Sequence, residues 1–275
     1  MITAIKRDED GTIQLTVNLP WELVKKTKES VIEEHVEQSE MPGFRKGKAP
    51  RALVEENLNQ DHLREDVLKK LLPEAYVGAL KEHKIEPVLS PKIHVEKLEE
   101  GKDWAFTAFT AEAPVVTLGK YKDAVSKITA KLKIVVPGKE QAQASFEDIS
   151  KALLESIEIK IPKIIIEQEV DRLLSQTLDE VKRLGLTLDQ YLASTGRNIE
   201  QLKIEYQKKA ETDIKLEFVL QKVAETEGIK VEDKEVEEAI AQAKTDEERQ
   251  NLTNNRYLLA GIIRQQKTLD FLRSL

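Results

Sequence analysis

Polar and apolar residues alternate near the start of the chain, with the period of two that is typical of a half-buried β-strand. The turn-forming pair Asp10-Gly11 lies directly before this stretch. The pattern therefore predicts an antiparallel hairpin with strands at residues 2–8 and 12–19. The alternating apolar residues are Ile13, Leu15, Val17 and Leu19.

Apolar residues at helical spacing follow this hairpin, and Pro20 suits the first turn of a helix. The segment from Met41 to Pro50 contains two glycines and two prolines, so we expect a loop there. These elements predict an α+β domain over residues 1–113, in which helices accompany a small antiparallel sheet. The predicted helices span residues 20–38, 51–59 and 61–84, and two more strands lie near residues 93–95 and 104–106.

Residues 114–138 lack a strong helical period and are rich in lysine. We predict an extended connector here, with strand character at residues 131–136. Residues 139–275 return to helical spacing, and no proline follows Pro162. This part is therefore predicted to be an extended all-α domain with arm-like helices. Its helices are expected at residues 166–184, 199–227, 233–244 and 246–273, with a short one after the capping residue Thr187.

Composition and charge narrow the choice of function. The chain has 275 residues and a formal net charge of −7. An acidic chain lacks the basic face that general nucleic-acid binding needs, so we expect no DNA partner. It contains no cysteine and no long apolar run, which argues against disulfides, thiol catalysis and membrane spans. No secretory signal is recognisable, and we expect a cytoplasmic protein.

Patterns typical of catalysis or metal binding are missing as well. The histidines are scattered and show no metal-ligand spacing. Paired carboxylates such as Glu237-Glu238 are expected in so charged a chain and indicate solvated helix faces. We therefore predict no catalytic residue, no metal site and no cofactor. The histidines are His35, His62, His83 and His94.

One loop departs from the acidic average of the chain. Between Gly43 and Arg51 there are four positive charges and no negative one, with Phe44 at the tip. An exposed ring beside arginine and lysine can dock on a partner, because the ring supplies buried area and the guanidinium pairs with carboxylate or phosphate. The alternative is a solvated basic loop whose Phe44 folds back onto the core. A nucleotide-binding loop is excluded, since the glycines are one residue too close and Ala49 replaces the required hydroxyl.

The run Gly43–Pro50, with the sequence GFRKGKAP, resembles the ribosome-docking signature of the trigger factor family, G-F-R-x-G-x-x-P. The segment Leu184–Leu192, followed by Thr195-Gly196, is similar to part of that family's helical domain. The ending Lys267–Leu272 is similar too, so the resemblance covers nearly the whole chain.

This resemblance implies an ATP-independent chaperone that binds nascent or unfolded polypeptides, prevents their aggregation and self-associates as a possible homodimer. It implies that Phe44, Arg45 and Lys46 contact the ribosome near the nascent-chain exit. The other signature residues in this loop are Gly43, Gly47, Lys48 and Pro50.

The chain departs from the family at one place. Members usually carry an FKBP-like prolyl isomerase domain before the helical domain, and such a domain needs about 85–100 residues. Only 24 residues, none of them aromatic, separate Tyr121 from Phe146. We therefore predict that the chain is not an enzyme, whether the short form is natural or an engineered deletion.

Chaperoning without a nucleotide requires weak contacts with apolar client segments, which partly exposed helix stripes can provide. Most apolar residues of such stripes pack between helices. Three alternatives stay open: a helical adaptor for one folded partner, a less favoured peptidyl-prolyl isomerase, and a periplasmic chaperone, which the missing signal disfavours. The candidate client-binding residues are Ile165, Ile166, Leu173, Leu216, Val219, Leu259 and Ile262.

Overall fold

The computed structural model describes residues 1–132 and 145–275, and within these ranges it contains four strands and eleven helices. The predicted class, an α+β part followed by an all-α part, is confirmed. Contacts within the chain define two units. The first comprises Met1–Ala113 with Pro162–Ile164, and the second comprises Pro114–Ile161 with Ile165–Leu275.

The first unit is built on an antiparallel sheet. Its strands are β1 (Ile2–Arg7), β2 (Thr12–Leu19), β3 (Lys92–Lys97) and β4 (Trp104–Ala111). They lie in the order β1-β2-β4-β3, so the long strands β2 and β4 form the centre. The predicted hairpin turn is present: the Thr12 amide donates to Asp10 Oδ1 at 3.0 Å, and Gly11 has a φ of +89°.

The core of the first unit lies on one face of this sheet. The helices of this unit are α1 (Trp21–Gln38), α2 (Arg51–Asn57) and α3 (Gln60–His83). The alternating residues of β2 are all buried, together with Phe106 of β4 and one stripe of α3. The pattern of apolar residues near the start of the sequence therefore predicted the correct buried face. The α3 residues of the core include Leu63, Val67, Leu71 and Ala75.

The second unit is helical in its described residues. Its helices are α4 (Tyr121–Leu132), α5 (Phe146–Glu155), α6 (Lys163–Arg183), α7 (Leu188–Thr195), α8 (Ile199–Thr226), α9 (Asp233–Ala241), α10 (Asp246–Asn254) and α11 (Arg256–Ser274). Both predicted caps at the start of α7 and α8 are present. Thr187 and Asn198 each form a capping box with the glutamine three residues later.

Helix α4 corrects the prediction of an extended connector over residues 114–138. Tyr121 and Val125 are buried in a core that α4 shares with α5, α8 and α11. Tyr121, Val125 and Ile128 have helical spacing, but two turns among lysines are too short to give a strong periodic signal. Of the strand predicted at residues 131–136, the first two residues end α4 and the rest lie outside the described residues.

A charged cluster ties α4 to the end of α8. Tyr121 Oη donates to Glu227 Oε1 at 2.7 Å, and Lys122 Nζ donates to Glu227 Oε2 at 2.9 Å. The hydrogen bonds from Lys122 and then Tyr121 lower the pKa of the Glu227 carboxyl. Burial, and then the neighbouring carboxylate, raise the pKa of Tyr121.

The single helix predicted at residues 246–273 is two helices, α10 and α11. Asn255 separates them with φ −109° and ψ 32°, and its side-chain amide donates to the Asn251 carbonyl at 2.9 Å. Asparagine side chains compete with the helix for backbone hydrogen bonds, which explains the break.

We expect Phe106→Ala to lower the free energy of unfolding of the first unit by about 3–5 kcal/mol, because it leaves a cavity in the core. Phe109 lies on the opposite face of the same strand and is only half-buried. Phe109→Ala should therefore cost less than half as much. Urea unfolding followed by tryptophan fluorescence measures both, since Trp21 and Trp104 lie in this unit. Equal losses of unfolding free energy in the two variants would contradict the assignment of the core to the Phe106 face of the sheet.

The lowered pKa of Glu227 predicts a pH-dependent contribution to stability. The charged carboxyl stabilises the fold above its unfolded-state pKa, and this contribution disappears as the pH falls through the lower folded-state pKa. The wild type should therefore exceed Glu227→Gln in Tm at about pH 7, with the difference shrinking as the pH falls below about 4.3, the ordinary pKa of a glutamate. Circular dichroism during heating measures this difference, and a constant value across the pH range would contradict the prediction.

Candidate docking loop and apolar surfaces

The basic loop between α1 and α2 is shaped by hydrogen bonds of its own backbone. The amide of Gly47 donates to the carbonyl of Ser39 at 3.0 Å, which closes the loop across its base. Two tight turns lie inside this closure, and together they place Phe44 at the tip. The turn bonds run from the amides of Phe44 and Lys48 to the carbonyls of Met41 and Arg45, at 3.0 and 2.9 Å.

Both glycines of the loop have backbone conformations that other residues rarely adopt. Gly43 has a φ of +87° and Gly47 a φ of +70°. A Cβ atom on Gly47 would also lie 2.6 Å from the carbonyl oxygen of Glu37, closer than real contacts allow. The loop therefore keeps this path only with glycine at position 47.

Phe44 is exposed at the tip of the loop. Its side chain is 43% exposed, and in the described structure it does not belong to the core of the first unit. The alternative in which Phe44 folds back into the core is therefore wrong. An apolar ring held in solvent next to charged residues is a feature of protein–protein docking sites.

The three positively charged residues that follow Phe44 in the loop have little negative charge near them. Among the residues described, no carboxylate lies within ion-pair distance of Arg45 or Lys48. Lys46 Nζ lies 3.5 Å from Glu40 Oε1, in a solvent-exposed pair that contributes little to stability. These three side chains remain available to an anionic partner.

The end of the loop is anchored to α2. Ala49 is buried, and the carbonyl of Pro50 accepts a hydrogen bond from the amide of Val54 at 3.2 Å. Arg51 Nε donates to Glu55 Oε1 at 2.6 Å, and this bond raises the pKa of Arg51. Arg51 is thus held along α2 by Glu55. The positive charge that is available to a partner therefore lies on Arg45, Lys46 and Lys48.

The structure separates the candidate client-binding residues into core and surface. Leu216 and Val219 are buried against α4, α5 and α11, so the prediction that they lie on an open stripe is wrong. Ile165, Ile166 and Leu173 of α6 are half-buried, packed against a small cluster that includes α8 residues. They retain some exposed apolar surface.

The first half of α11 is more exposed than the sequence pattern indicates. Leu259 is half-buried, whereas Ile262 is 55% exposed. Tyr257, which the sequence analysis did not single out, and Leu258 are 95% and 64% exposed. The break at Asn255 could have drawn attention to them, since they begin a new helix.

The geometry of the described residues gives little support to a histidine-based catalytic site or a metal site. His35 Nε2 lies 3.0 Å from Asp66 Oδ2, and His83 Nε2 lies 3.0 Å from Thr3 Oγ1, so both rings have local partners. Over residues 1–132 and 145–275, no group of three histidine or carboxylate side chains is arranged to hold a metal ion. Across the same residues, no helix has the length and apolar character that spanning a membrane requires.

Comparison with known proteins identifies relatives of this chain. Curated trigger factors are similar to it: that of Staphylococcus epidermidis is 39% identical over 122 residues, which is 44% of this chain and 28% of the relative. That of Anoxybacillus flavithermus is 45% identical over 108 residues, 39% of this chain and 25% of the relative. That of Macrococcus caseolyticus is 34% identical over 163 residues, 59% of this chain and 36% of the relative. The chain thus spans between 25% and 36% of the length of these relatives.

A solved structure is similar in fold. It is described as "Promiscuous Substrate Recognition in Folding and Assembly Activities of the Trigger Factor Chaperone", and it matches with a TM-score of 0.65 at 14% sequence identity. The match covers 100% of this chain and 99% of that one.

Two family profiles match the sequence and overlap each other. "Bacterial trigger factor protein (TF)" matches residues 1–153, and "Bacterial trigger factor protein (TF) C-terminus" matches residues 137–273. The first match alone covers more than half of the chain. The chain belongs to the trigger factor family.

Proposed function

We propose that this protein is an ATP-independent chaperone of the cytoplasm that docks on the ribosome and holds nascent or unfolded polypeptides. The observation that carries this proposal is the loop tip, where the exposed ring of Phe44 lies beside the unpaired cations Arg45 and Lys48. Family membership supports it, since the loop has every fixed position of the family's docking signature.

Docking through this loop combines two kinds of contact. Phe44 offers apolar area that a partner can cover, while Arg45 and Lys46 pair with phosphate or carboxylate on the ribosome near the nascent-chain exit. The closure at Gly47 fixes the backbone path beforehand, so little conformational freedom is lost on binding.

Client binding is assigned to exposed apolar side chains of the second unit. Half-buried residues of α6 and exposed residues of α11 offer small apolar areas separated by charged ones, which favours weak and promiscuous contacts. A client leaves when it buries its own apolar segments, so no nucleotide is needed. The candidate residues that keep exposed surface are Ile165, Ile166, Leu173, Leu259 and Ile262.

We propose no catalytic activity. The two family matches leave no residues between them for an inserted isomerase domain. A proline-limited refolding assay should therefore proceed at its uncatalysed rate. Self-association remains a prediction that sedimentation of the purified protein decides.

Replacing Phe44, Arg45 and Lys46 together by alanine should weaken ribosome binding about tenfold or more, because these side chains form the centre of the contact. Co-sedimentation of the protein with ribosomes through a sucrose cushion measures this loss. Raising the salt concentration should weaken wild-type binding as well, since part of the attraction is between charges.

A matched control removes one apolar and two positive side chains elsewhere in the first unit. Val88 is 45% exposed, and Lys92 and Lys97 are exposed on β3. The Val88→Ala, Lys92→Ala, Lys97→Ala variant should bind ribosomes like the wild type. Unchanged ribosome binding by the loop variant, or an equal loss of ribosome binding in both variants, would contradict the docking proposal.

Aggregation assays without ATP should show that the protein suppresses aggregation of two unrelated unfolded clients. An adaptor for one folded partner would suppress neither. The loop variant should keep this activity when ribosomes are absent, because the clients contact the second unit. Light scattering of chemically unfolded proteins after dilution measures the effect.

A further inference from the structure

The sulfur chemistry of this chain is confined to two side chains. The sequence contains no cysteine and two methionines, Met1 and Met41. Both methionines lie in the first unit, and the sequence of the second unit contains no sulfur. Oxidation of a methionine to the sulfoxide turns a flexible apolar side chain into a polar one, and it is reversible. Oxidation of sulfur in this protein therefore acts on the first unit alone.

Met41 lies inside the closed basic loop. The bond from the Gly47 amide to the Ser39 carbonyl closes the loop, and Met41 follows Ser39 by two positions. The Met41 carbonyl accepts the hydrogen bond from the Phe44 amide at 3.0 Å. This bond closes the turn that leads to the tip of the loop. Met41 therefore helps to set the path of the backbone that presents the ring of Phe44.

The side chain of Met41 is half-buried. Partial exposure on a surface loop admits an oxidant as small as hydrogen peroxide. Partial burial means that the added oxygen has to be accommodated beside protein atoms, and a covered polar atom without a hydrogen bond is unfavourable. The sulfoxide is therefore driven out of the covered position, and the turn that depends on the Met41 backbone is disturbed.

Met1 provides an internal comparison. It is 53% exposed, and its Cε atom lies 3.2 Å from the position that a Cβ on Gly78 of α3 would take. Met1 thus packs beside α3 and takes no part in the hydrogen bonds that close the basic loop. An oxidant reaches it at least as easily as Met41, but its oxidation leaves the loop unchanged.

We propose that Met41 is an oxidation site that regulates docking. Conversion of its thioether to the sulfoxide by hydrogen peroxide weakens ribosome binding, and the released protein still holds unfolded clients. Client binding persists because it is assigned to the second unit, which contains no sulfur. This inference rests on the proposed docking of the basic loop on the ribosome and adds the regulation of that docking.

The chemical step is a two-electron oxidation that needs no catalytic group. The thioether sulfur attacks one oxygen of hydrogen peroxide, and the O–O bond breaks as the S–O bond forms. The sulfur loses two electrons to the peroxide. The other oxygen leaves as hydroxide and takes the proton of the transferred oxygen, which gives water. Methionine sulfoxide reductases, one for each sulfoxide epimer, reverse the step with a thiol as the reductant.

The test oxidises the full-length protein with hydrogen peroxide, removes the peroxide, and then adds untreated ribosomes. Mass spectrometry of proteolytic peptides measures the sulfoxide at Met1 and at Met41. Co-sedimentation through a sucrose cushion should show that oxidation weakens ribosome binding about three- to tenfold. Treatment with both reductases and dithiothreitol should restore the binding of the untreated protein.

Two variants assign the effect to Met41. Met41→Leu keeps an apolar side chain of similar volume and removes the sulfur, so it should bind ribosomes like the wild type before and after peroxide. This variant retains Met1, so it also measures what oxidation of Met1 does. Met41→Gln places a polar group at the end of a side chain of similar length. It should bind ribosomes about three- to tenfold more weakly without any oxidant.

A second measurement distinguishes loss of docking from loss of the fold. The oxidised wild type and Met41→Gln should both suppress the aggregation of chemically unfolded clients as well as the untreated wild type does, when ribosomes are absent. Light scattering after dilution measures this suppression. A loss of suppression on oxidation would overturn the proposal, because the modification would then damage the whole protein.

Equal ribosome binding by untreated wild type and by wild type with oxidised Met41 would overturn this inference alone. An equal loss of binding in peroxide-treated Met41→Leu would overturn it too, since the effect would then come from another residue. Oxidation of Met1 with Met41 left reduced would show that the sulfur of Met41 is inaccessible, which also overturns it. If untreated wild type does not bind ribosomes, the proposed docking itself fails.

Discussion

The hydrogen bond from the Gly47 amide to the Ser39 carbonyl closes the basic loop, and the surface offered by the first unit depends on it. A side chain at position 47 would collide with the Glu37 carbonyl, so the closure requires glycine. Inside the closure, two tight turns place Phe44 at the tip, where its ring is exposed and does not belong to the core of the first unit. The ring therefore stays in solvent with the neighbouring cations, which makes the loop suited to docking.

The proposed docking loop and the proposed client-binding side chains of the second unit meet different physical requirements. A chaperone without a nucleotide cycle must bind clients weakly, because strong binding would block their folding. Weak binding is useful only where clients are concentrated, and docking at the ribosome raises the effective client concentration. A tight, directional contact at Phe44 can thus be combined with loose contacts along α11. The charged surroundings of both surfaces limit unspecific association.

Local features of the fold were readable from the sequence, and long-range ones were not. The Asp10-Gly11 turn and the caps at Thr187 and Asn198 depend on residues a few positions apart, and all are present. The burial of Val219 depends on helices far away in the chain, which periodicity cannot identify. The signature of the loop was readable, whereas the exposure of Tyr257 required knowing that no helix covers it in the described structure.

Photo-crosslinking from the tip of the loop tests the central proposal most directly. A photoreactive phenylalanine analogue placed at position 44, in full-length protein mixed with ribosomes, should crosslink to a ribosomal component near the nascent-chain exit. Excess unlabelled wild type should compete this product away. The same analogue placed at Val88, which is similarly exposed, should give no such product. Absence of a ribosomal crosslink from position 44, or equal crosslinking from both positions, would contradict docking through this loop.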